Sequence, residues 1–424
     1  MVSHMSAAAR SASAHAVALR ISLLIATLST TTLPVVGLPR PAWAAIDSDI
    51  TLENCVSDGL PARASRAEPA DRSKRTGLPF TIFPQVGYGP ETGPKVGVKF
   101  EGRDFFAGNT FADVNVLAAQ QQQASGTVTV GSNRVFHSFM FYATANYFRD
   151  ASKEYFGLGN NDAGPEELAN YDIKRTRIGV TLGYRVLRRV ALTLSAMYRE
   201  SDVDPGKRDQ SPRLQRFAPR LPGVHGGESN YVSAAVVYNS RDEVVRPTRG
   251  WEVIAKYLSS SGAIFNGNTD FSKFILDASY TMPLVWRRQV LAVHGNTEVM
   301  FGNDKHIPFF ELTSLGGDDT MRGYWPDRFL GKGRMVFNVE YRLKLVDFQF
   351  RKLWGVTIDG VGFGDAGRVY KGADDFRDHF ADHLRYSYGG GTRIGFSSGL
   401  VARIDVGFSD EEKGLVYLAF GHTF

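Results

Sequence analysis

The sequence predicts an all-β protein, a transmembrane antiparallel β-barrel of about 16 strands within a chain of 424 residues. Three observations lead there. The chain ends on an alternating segment closed by an aromatic residue, the alternation recurs from Leu78 onward, and the connections between segments alternate short and long. In the last segment Val416, Leu418 and Phe420 point one way, and Tyr417, Ala419, Gly421 and Thr423 the other, before the terminal Phe424. A period of two over such a length fits a strand of ~9–11 residues that crosses a bilayer. A mean hydropathy of −0.20 is too polar for a bundle of membrane helices. A barrel tolerates it because every second residue faces a polar lumen.

Residues 1–44 read as a signal peptide. Arg10 and Arg20 supply the positive region, Ile21 to Leu28 the apolar core, and Ala42-Trp43-Ala44 the small-x-small cleavage pattern. No acidic residue precedes Asp47, so an organelle-targeting peptide is the alternative. Removing Arg10, Arg20 and Arg40 lowers Lys+Arg from 49 to 46 against 44 acids, a net charge of +2. That near-neutral balance gives no electrostatic footprint for nucleic acid. Residues 45–77 lack periodicity, are rich in charge, Ser, Pro and Ala, and read as a flexible periplasmic linker. A stretch of ~30 residues is too short to hold a folded module. The single cysteine, Cys55, lies in it, so no disulfide forms within one chain and the thiol has no evident role.

The barrel is expected over 78–424, with strands near 79–87, 94–103, 111–121, 124–132, 134–148, 171–186, 189–200 and 230–240. They continue near 250–260, 271–283, 288–301, 334–346, 354–365, 385–396, 400–409 and 414–424. The even number is what bacterial barrels require. Val190, Leu192, Leu194 and Tyr198 oppose Thr193, Ser195 and Arg199; Phe274, Leu276, Ala278 and Tyr280 oppose Lys273, Asp277 and Ser279. Leu400, Ala402, Ile404, Val406 and Phe408 oppose Arg403 and Asp405. With both termini in the periplasm, tight junctions at Ser132-Asn133, Leu187-Arg188, Trp286-Arg287 and Ser397-Ser398 are periplasmic turns. Long connections at 150–170, 201–229, 302–333 and 366–384 are then surface loops.

The loop after the eleventh strand contains Leu315-Gly316-Gly317-Asp318-Asp319-Thr320-Met321-Arg322-Gly323-Tyr324. Other blocks follow in order: Tyr155 to Asn160, Tyr238 to Asp242 with Pro247 to Gly250, Glu340-Tyr341-Arg342, Phe363 to Gly367, and Gly389 to Arg393. Here the chain resembles the BamA/TamA-type outer-membrane surface-antigen superfamily, whose sixth extracellular loop carries an Arg-Gly-aromatic tripeptide. The resemblance implies that this loop folds into the lumen and that Arg322 pairs there with Glu340 and Asp365. Gly323 suits a tight backbone approach, and Tyr324 completes the tripeptide. Placing Glu340 inward also puts Asn338 and Arg342 inward and Phe337, Val339 and Tyr341 toward lipid. The resemblance assigns Val416, Leu418, Phe420 and Phe424 to the carboxy-terminal barrel signal. Arg241 and Asp242 fall at a periplasmic turn, for which a structural role is expected.

No catalytic, cofactor or metal site is expected. Gly395-Phe396-Ser397-Ser398-Gly399 fits a nucleophile pattern, yet the chemistry needs a strand-turn-helix elbow and the context is strand-turn-strand. His379 and His383 stand four apart without the Glu of the helical zinc motif. The resemblance implies an outer-membrane barrel that aids insertion or export of other outer-membrane proteins through a seam between its first and last strands. Its partners are then the bilayer, unfolded barrel clients and the assembly machinery for its own insertion. The chain leaves no room for the family's periplasmic POTRA repeats, so a pore or structural barrel is the alternative.

Overall fold

The computed structural model describes residues 80–420 apart from 104–109, 134, 136–137, 161–168, 207–213, 218–220, 244–245, 263–268, 286–287, 351–353 and 397–400. The signal peptide, linker, Cys55, Trp286-Arg287, Ser397-Ser398, Leu400, Gly421, Thr423 and Phe424 of the sequence analysis lie outside these residues. The strands are β1 (Phe80–Gly89), β2 (Gly93–Arg103), β3 (Thr110–Ala119), β4 (Gln123–Ser132), β5 (Phe139–Tyr155), β6 (Ala169–Leu187) and β7 (Val190–Pro205). They continue with the two-residue β8 (Gly227–Glu228), β9 (Tyr231–Asn239), β10 (Gly250–Ser261), β11 (Asp270–Pro283) and β12 (Gln289–Gly302). A small hairpin of β13 (Thr313–Leu315) and β14 (Phe329–Gly331) follows inside one loop. The chain then closes with β15 (Gly333–Phe350), β16 (Trp354–Tyr370), β17 (Arg385–Phe396), β18 (Val401–Ser409) and β19 (Leu415–Phe420). Setting aside β8, β13 and β14, 16 strands pair with their neighbours in antiparallel fashion, and β1 meets β19 to close the cylinder. All sixteen anticipated strands are present.

Alternation explains the wall. Ile82, Val86, Val96, Val98, Leu192 and Leu194 are exposed on the outer surface, while Gln85, Lys99, Thr193, Arg199 and Asn338 are buried inside. The outer face carries aromatic pairs near the short-turn end, Phe139 with Tyr184 (ring centroids 4.8 Å apart) and Trp251 with Tyr280 (4.3 Å). Near the loop end Tyr388 stacks with Phe408 at 5.8 Å. Amphipathic rings at two levels are the signature of two membrane–water interfaces.

Two boundaries differ from the sequence reading. Ser132-Asn133 is not a tight turn, because β5 starts at Phe139, and Val135 N–H bonds Phe139 O at 2.8 Å within a longer connection. On the loop side β5, β7 and β16 run five to seven residues farther than the alternation shows, and β6 two. There Phe148, Tyr155, Tyr171, Ile173 and Val203 pack against Leu214, Leu221 and Val224 of the connection after β7 and Phe309 of the connection after β12. Those strand ends are covered on the inner face by apolar loops, so the polar-in pattern fades although the strands continue.

Candidate functional site

The connection between β12 and β15 spans 303–332 and is the sixth on the loop side of the barrel. Its first half ends in two single-turn 3-10 helices, Asp304–His306 and Phe309–Glu311. Phe309 lies edge-on to Tyr171 at 5.3 Å, and Glu311 receives a bond from Arg199 Nη1 at 2.8 Å. The second half drops into the lumen against β15–β19. Gly316 and Gly317, both at positive φ (120° and 94°), turn the chain inward, and Thr320 Oγ1 bonds Gly316 O at 2.9 Å to hold the turn.

At the tip the structure brings together the three charged residues singled out in the sequence. Arg322 is fully buried and gives two side-chain bonds to Asp365, Nε–Oδ2 at 3.0 Å and Nη2–Oδ1 at 2.7 Å. Its Nη1 bonds Glu340 Oε1 at 2.5 Å, its backbone N–H bonds Asp365 Oδ2 at 3.1 Å, and its guanidinium lies 3.5 Å over the ring of Phe363. The strand period explains the meeting: Asn338, Glu340 and Arg342 on β15 and Asp365 on β16 all stand inward and buried, and Phe337 and Tyr341 face out as expected.

The cluster is larger than that triad. Arg393 of β17 bonds Glu340 Oε1 (3.0 Å) and Asp405 of β18 (2.5 and 3.1 Å), and Arg342 Nε bonds Glu340 Oε2 at 2.8 Å. Asp405 also lies 3.8 Å from Arg322. Three guanidiniums thus face three carboxylates, and the balance keeps each buried charge compensated. Asn338 joins Asp365 (2.8 Å) to the carbonyl of Thr320 (2.7 Å) and, through its Oδ1, to His294 Nδ1 at 2.9 Å. The sequence places Arg342, Arg393 and Asp405 in strands without joining them to Arg322; their inward parity is the available signal.

Gly323 adopts φ 103°, and a Cβ there would come within 2.8 Å of the backbone of Phe408. A Cβ on Gly407 would meet Arg322 C at 2.6 Å, so the loop lies flat on β18. Ser409 Oγ donates to Gly323 O at 2.7 Å, and Tyr417 Oη of β19 donates to Tyr324 O at 3.0 Å. Tyr324 Oη bonds Asp410 Oδ1 at 2.5 Å; burial and that carboxylate raise its pKa above the ordinary value, so it remains a donor. Farther along, Trp325 Nε1 bonds Glu412 at 2.6 Å, and Arg328 grips Glu411 with two bonds of 2.6 and 2.9 Å. Arg403 of β18 holds Asp318 (2.6 Å) and Asp319 (3.0 Å).

The Tyr155–Asn160 block, quoted above only as a family marker, crosses the loop-side mouth. Gly159 N–H bonds Leu330 O at 2.8 Å, Asn160 Nδ2 bonds His383 O at 2.8 Å, and Asn160 Oδ1 receives Val369 N–H at 3.3 Å. His379 pairs with Asp382 at 2.9 Å, and among the described residues no group of three or more His, Cys, Asp or Glu is placed to hold a metal ion.

At the opposite rim, Asp242 caps the connection between β9 and β10, accepting from Thr248 N–H (2.9 Å) and Arg249 N–H (3.2 Å). Arg241 pairs with Glu252, both buried. From the same connection Arg246 reaches across to Asp359 of β16 at 2.8 Å and lies against Gly395 of β17. Val416, Leu418 and Phe420 of β19 alternate with Tyr417, whose side chain turns inward to the loop.

Residues 119–424 match the model of the Omp85 superfamily domain. The chain belongs to the Omp85 superfamily. Among solved structures, this Omp85 barrel is similar to BamA from Haemophilus ducreyi lacking POTRA domains 1-3, with 14% identity over 81% of this chain and 70% of that one, at a TM-score of 0.56. CdiB from Escherichia coli gives 13% identity over 82% of this chain at a TM-score of 0.58, and the chain spans 63% of the length of that protein. CdiB from Acinetobacter baumannii gives 11% identity, covering 81% of this chain and 60% of that one, with a TM-score of 0.55. At such identities the likeness is one of fold, that of an outer-membrane barrel. Every described residue of this Omp85 chain belongs to the barrel or its connections.

Proposed function

We propose that this Omp85 barrel aids the insertion or export of other outer-membrane proteins, with the junction of β1 and β19 as the working edge. The observation that supports it is the poverty of that junction. Over the described residues of β19, one registered pair, Tyr88↔Leu418, joins it to β1, whereas six, from Ala402↔Phe420 to Gly407↔Leu415, join it to β18. Backbone groups left unpaired within a bilayer are costly, and an incoming extended strand satisfies them by β-augmentation. The inward loop rests on β18 and contacts Tyr417 of β19, so the clamp holds the strands on one side of the edge. The barrel works in the bacterial outer membrane after export with its signal peptide.

The test is a Tyr88→Cys/Leu418→Cys pair in a chain with Cys55→Ser. Oxidation is expected to lower the amounts of other barrels in the outer membrane, and reduction to restore them. If the locked protein sustains normal amounts, the edge is not the working site. A second reading, a pore or structural barrel, draws on the 16-strand circumference. The loop docked in the lumen favours a closed state, and a large steady current in planar bilayers would favour the pore.

A further inference from the structure

The two rims of the barrel differ in charge. In the seven connections that join wall strands at the short-turn rim, the sequence holds ten Lys and Arg against three Asp and Glu. In the eight connections of the loop rim it holds twelve against eighteen, so the short-turn rim carries the positive field. Pairing sharpens the contrast. On the loop rim Arg328 pairs with Glu411, Lys332 with Asp304 and Arg377 with Asp378. On the short-turn rim Arg241 and Arg246 turn to Glu252 and Asp359. Arg188, Arg189, Arg249 and Arg288 are exposed there, and among the described residues no carboxylate pairs with any of them.

These four arginines lie in one arc. They stand in the connections β6–β7, β9–β10 and β11–β12, which close six adjacent strands. Neighbouring connections fall about 10 Å apart, two strand spacings. Asn239 N–H bonds Arg189 O at 2.9 Å, which ties the first connection to the second. The arc is centred between β9 and β10, half-way around the wall from the β1–β19 junction. Apolar groups accompany it. Leu187, next to Arg188, is 64% exposed, and Val285, in the same connection as Arg288, is 95% exposed. Two members of the outer-face aromatic pairs stand close in the chain, Tyr184 four residues before Arg188 and Trp251 two residues after Arg249. Aromatic ring, exposed aliphatic group and guanidinium thus follow one another toward the rim, the order of a membrane–water interface.

We propose that Arg188, Arg189, Arg249 and Arg288 form a binding arc for anionic phospholipid of the inner leaflet. The guanidiniums take the phosphates, and Leu187 and Val285 lie against the acyl chains nearest the headgroups. This placement takes the short-turn rim as periplasmic. Clustered basic groups at a membrane surface are drawn to anionic headgroups, and the guanidinium fork gives phosphate paired N–H bonds. An acidic soluble partner would answer the charges but leave the exposed aliphatic groups in water; a lipid answers both. The arc anchors the half of the wall that faces the β1–β19 junction across the barrel, and it binds lipid whether or not that junction opens.

The test uses the full mature protein in nanodiscs of mixed phosphatidylglycerol and phosphatidylethanolamine, with retained lipid counted by native mass spectrometry. Phosphatidylglycerol is expected to be retained in preference, and less so as salt rises. Arg188→Gln/Arg189→Gln/Arg249→Gln/Arg288→Gln should cut that preference at least fivefold with heat resistance kept. Lys305→Gln/Arg377→Gln on the loop rim should leave it unchanged. In outer membranes, benzoylphenylalanine in place of Leu187 should crosslink phospholipid; if the four-site variant does not fold, these crosslinks and the salt dependence decide. Retention without headgroup preference, an unchanged preference in the four-site variant, or crosslinks from position 187 to lipopolysaccharide or to a protein alone would overturn the proposal.

Discussion

Arg322 and Asp365 are joined three times, through Nε, Nη2 and the backbone N–H of Arg322, at 3.0, 2.7 and 3.1 Å. Both side chains are fully buried. Removing one member of such a pair strands the other in a low-dielectric lumen, at a cost of about 3–5 kcal/mol. Arg322→Ala should therefore lower the temperature at which the folded barrel converts to the unfolded band on unheated gels. Arg322→Lys should recover less than half of the loss, because an ammonium cannot reproduce the two-pronged geometry. Unchanged heat resistance in Arg322→Ala would refute the clamp.

Gly323→Ala meets two obstacles at once, φ 103° and the Phe408 backbone at 2.8 Å. It should displace the loop and open the 313–331 segment to added protease. Gly372 offers the control: its φ of 174° is extended backbone, and a Cβ there meets nothing within 4 Å. Gly372→Ala should digest like the unaltered protein. Equal protection of both variants would mean the loop does not need the close approach.

Tyr324→Phe removes the bonds to Asp410 and to Tyr386 O but keeps the ring, which packs edge-on to Phe329 at 5.4 Å. A loss of about 0.5–1.5 kcal/mol per neutral bond, and somewhat more for the carboxylate, is expected. In urea titrations its destabilisation should fall well below that of Arg322→Ala. A loss as large as that variant's would show that the tyrosine is the main anchor.

Arg246→Ala leaves Asp359 without its 2.8 Å partner, and Asp359 Oδ1 is already buried and unbonded. An unpaired carboxylate at 10% exposure should cost about 1–3 kcal/mol. The double variant Arg246→Ala/Asp359→Ala should regain part of it, because no buried charge is left behind. A double variant as unstable as the sum of the singles would deny the coupling.

The strand count and the facing of the strands were legible in the alternation, and the family resemblance implied the grouping of Arg322 with Glu340 and Asp365. Period-two alternation is local chemistry: lipid demands apolar side chains outside, and the lumen accepts charge inside. Glu340 and Asp365 fall inward by parity alone. What parity does not say is which inward residues share a level, since that depends on the stagger between strands around the closed wall. Arg393 and Asp405 therefore joined the cluster only in three dimensions, and Arg246 found Asp359 from 113 residues away. The extended ends of β5, β6, β7 and β16 were likewise hidden, because apolar loops cover their inner faces and erase the alternation. Sequence determined which way each side chain points; the circumference and tilt of the barrel decided which of them meet.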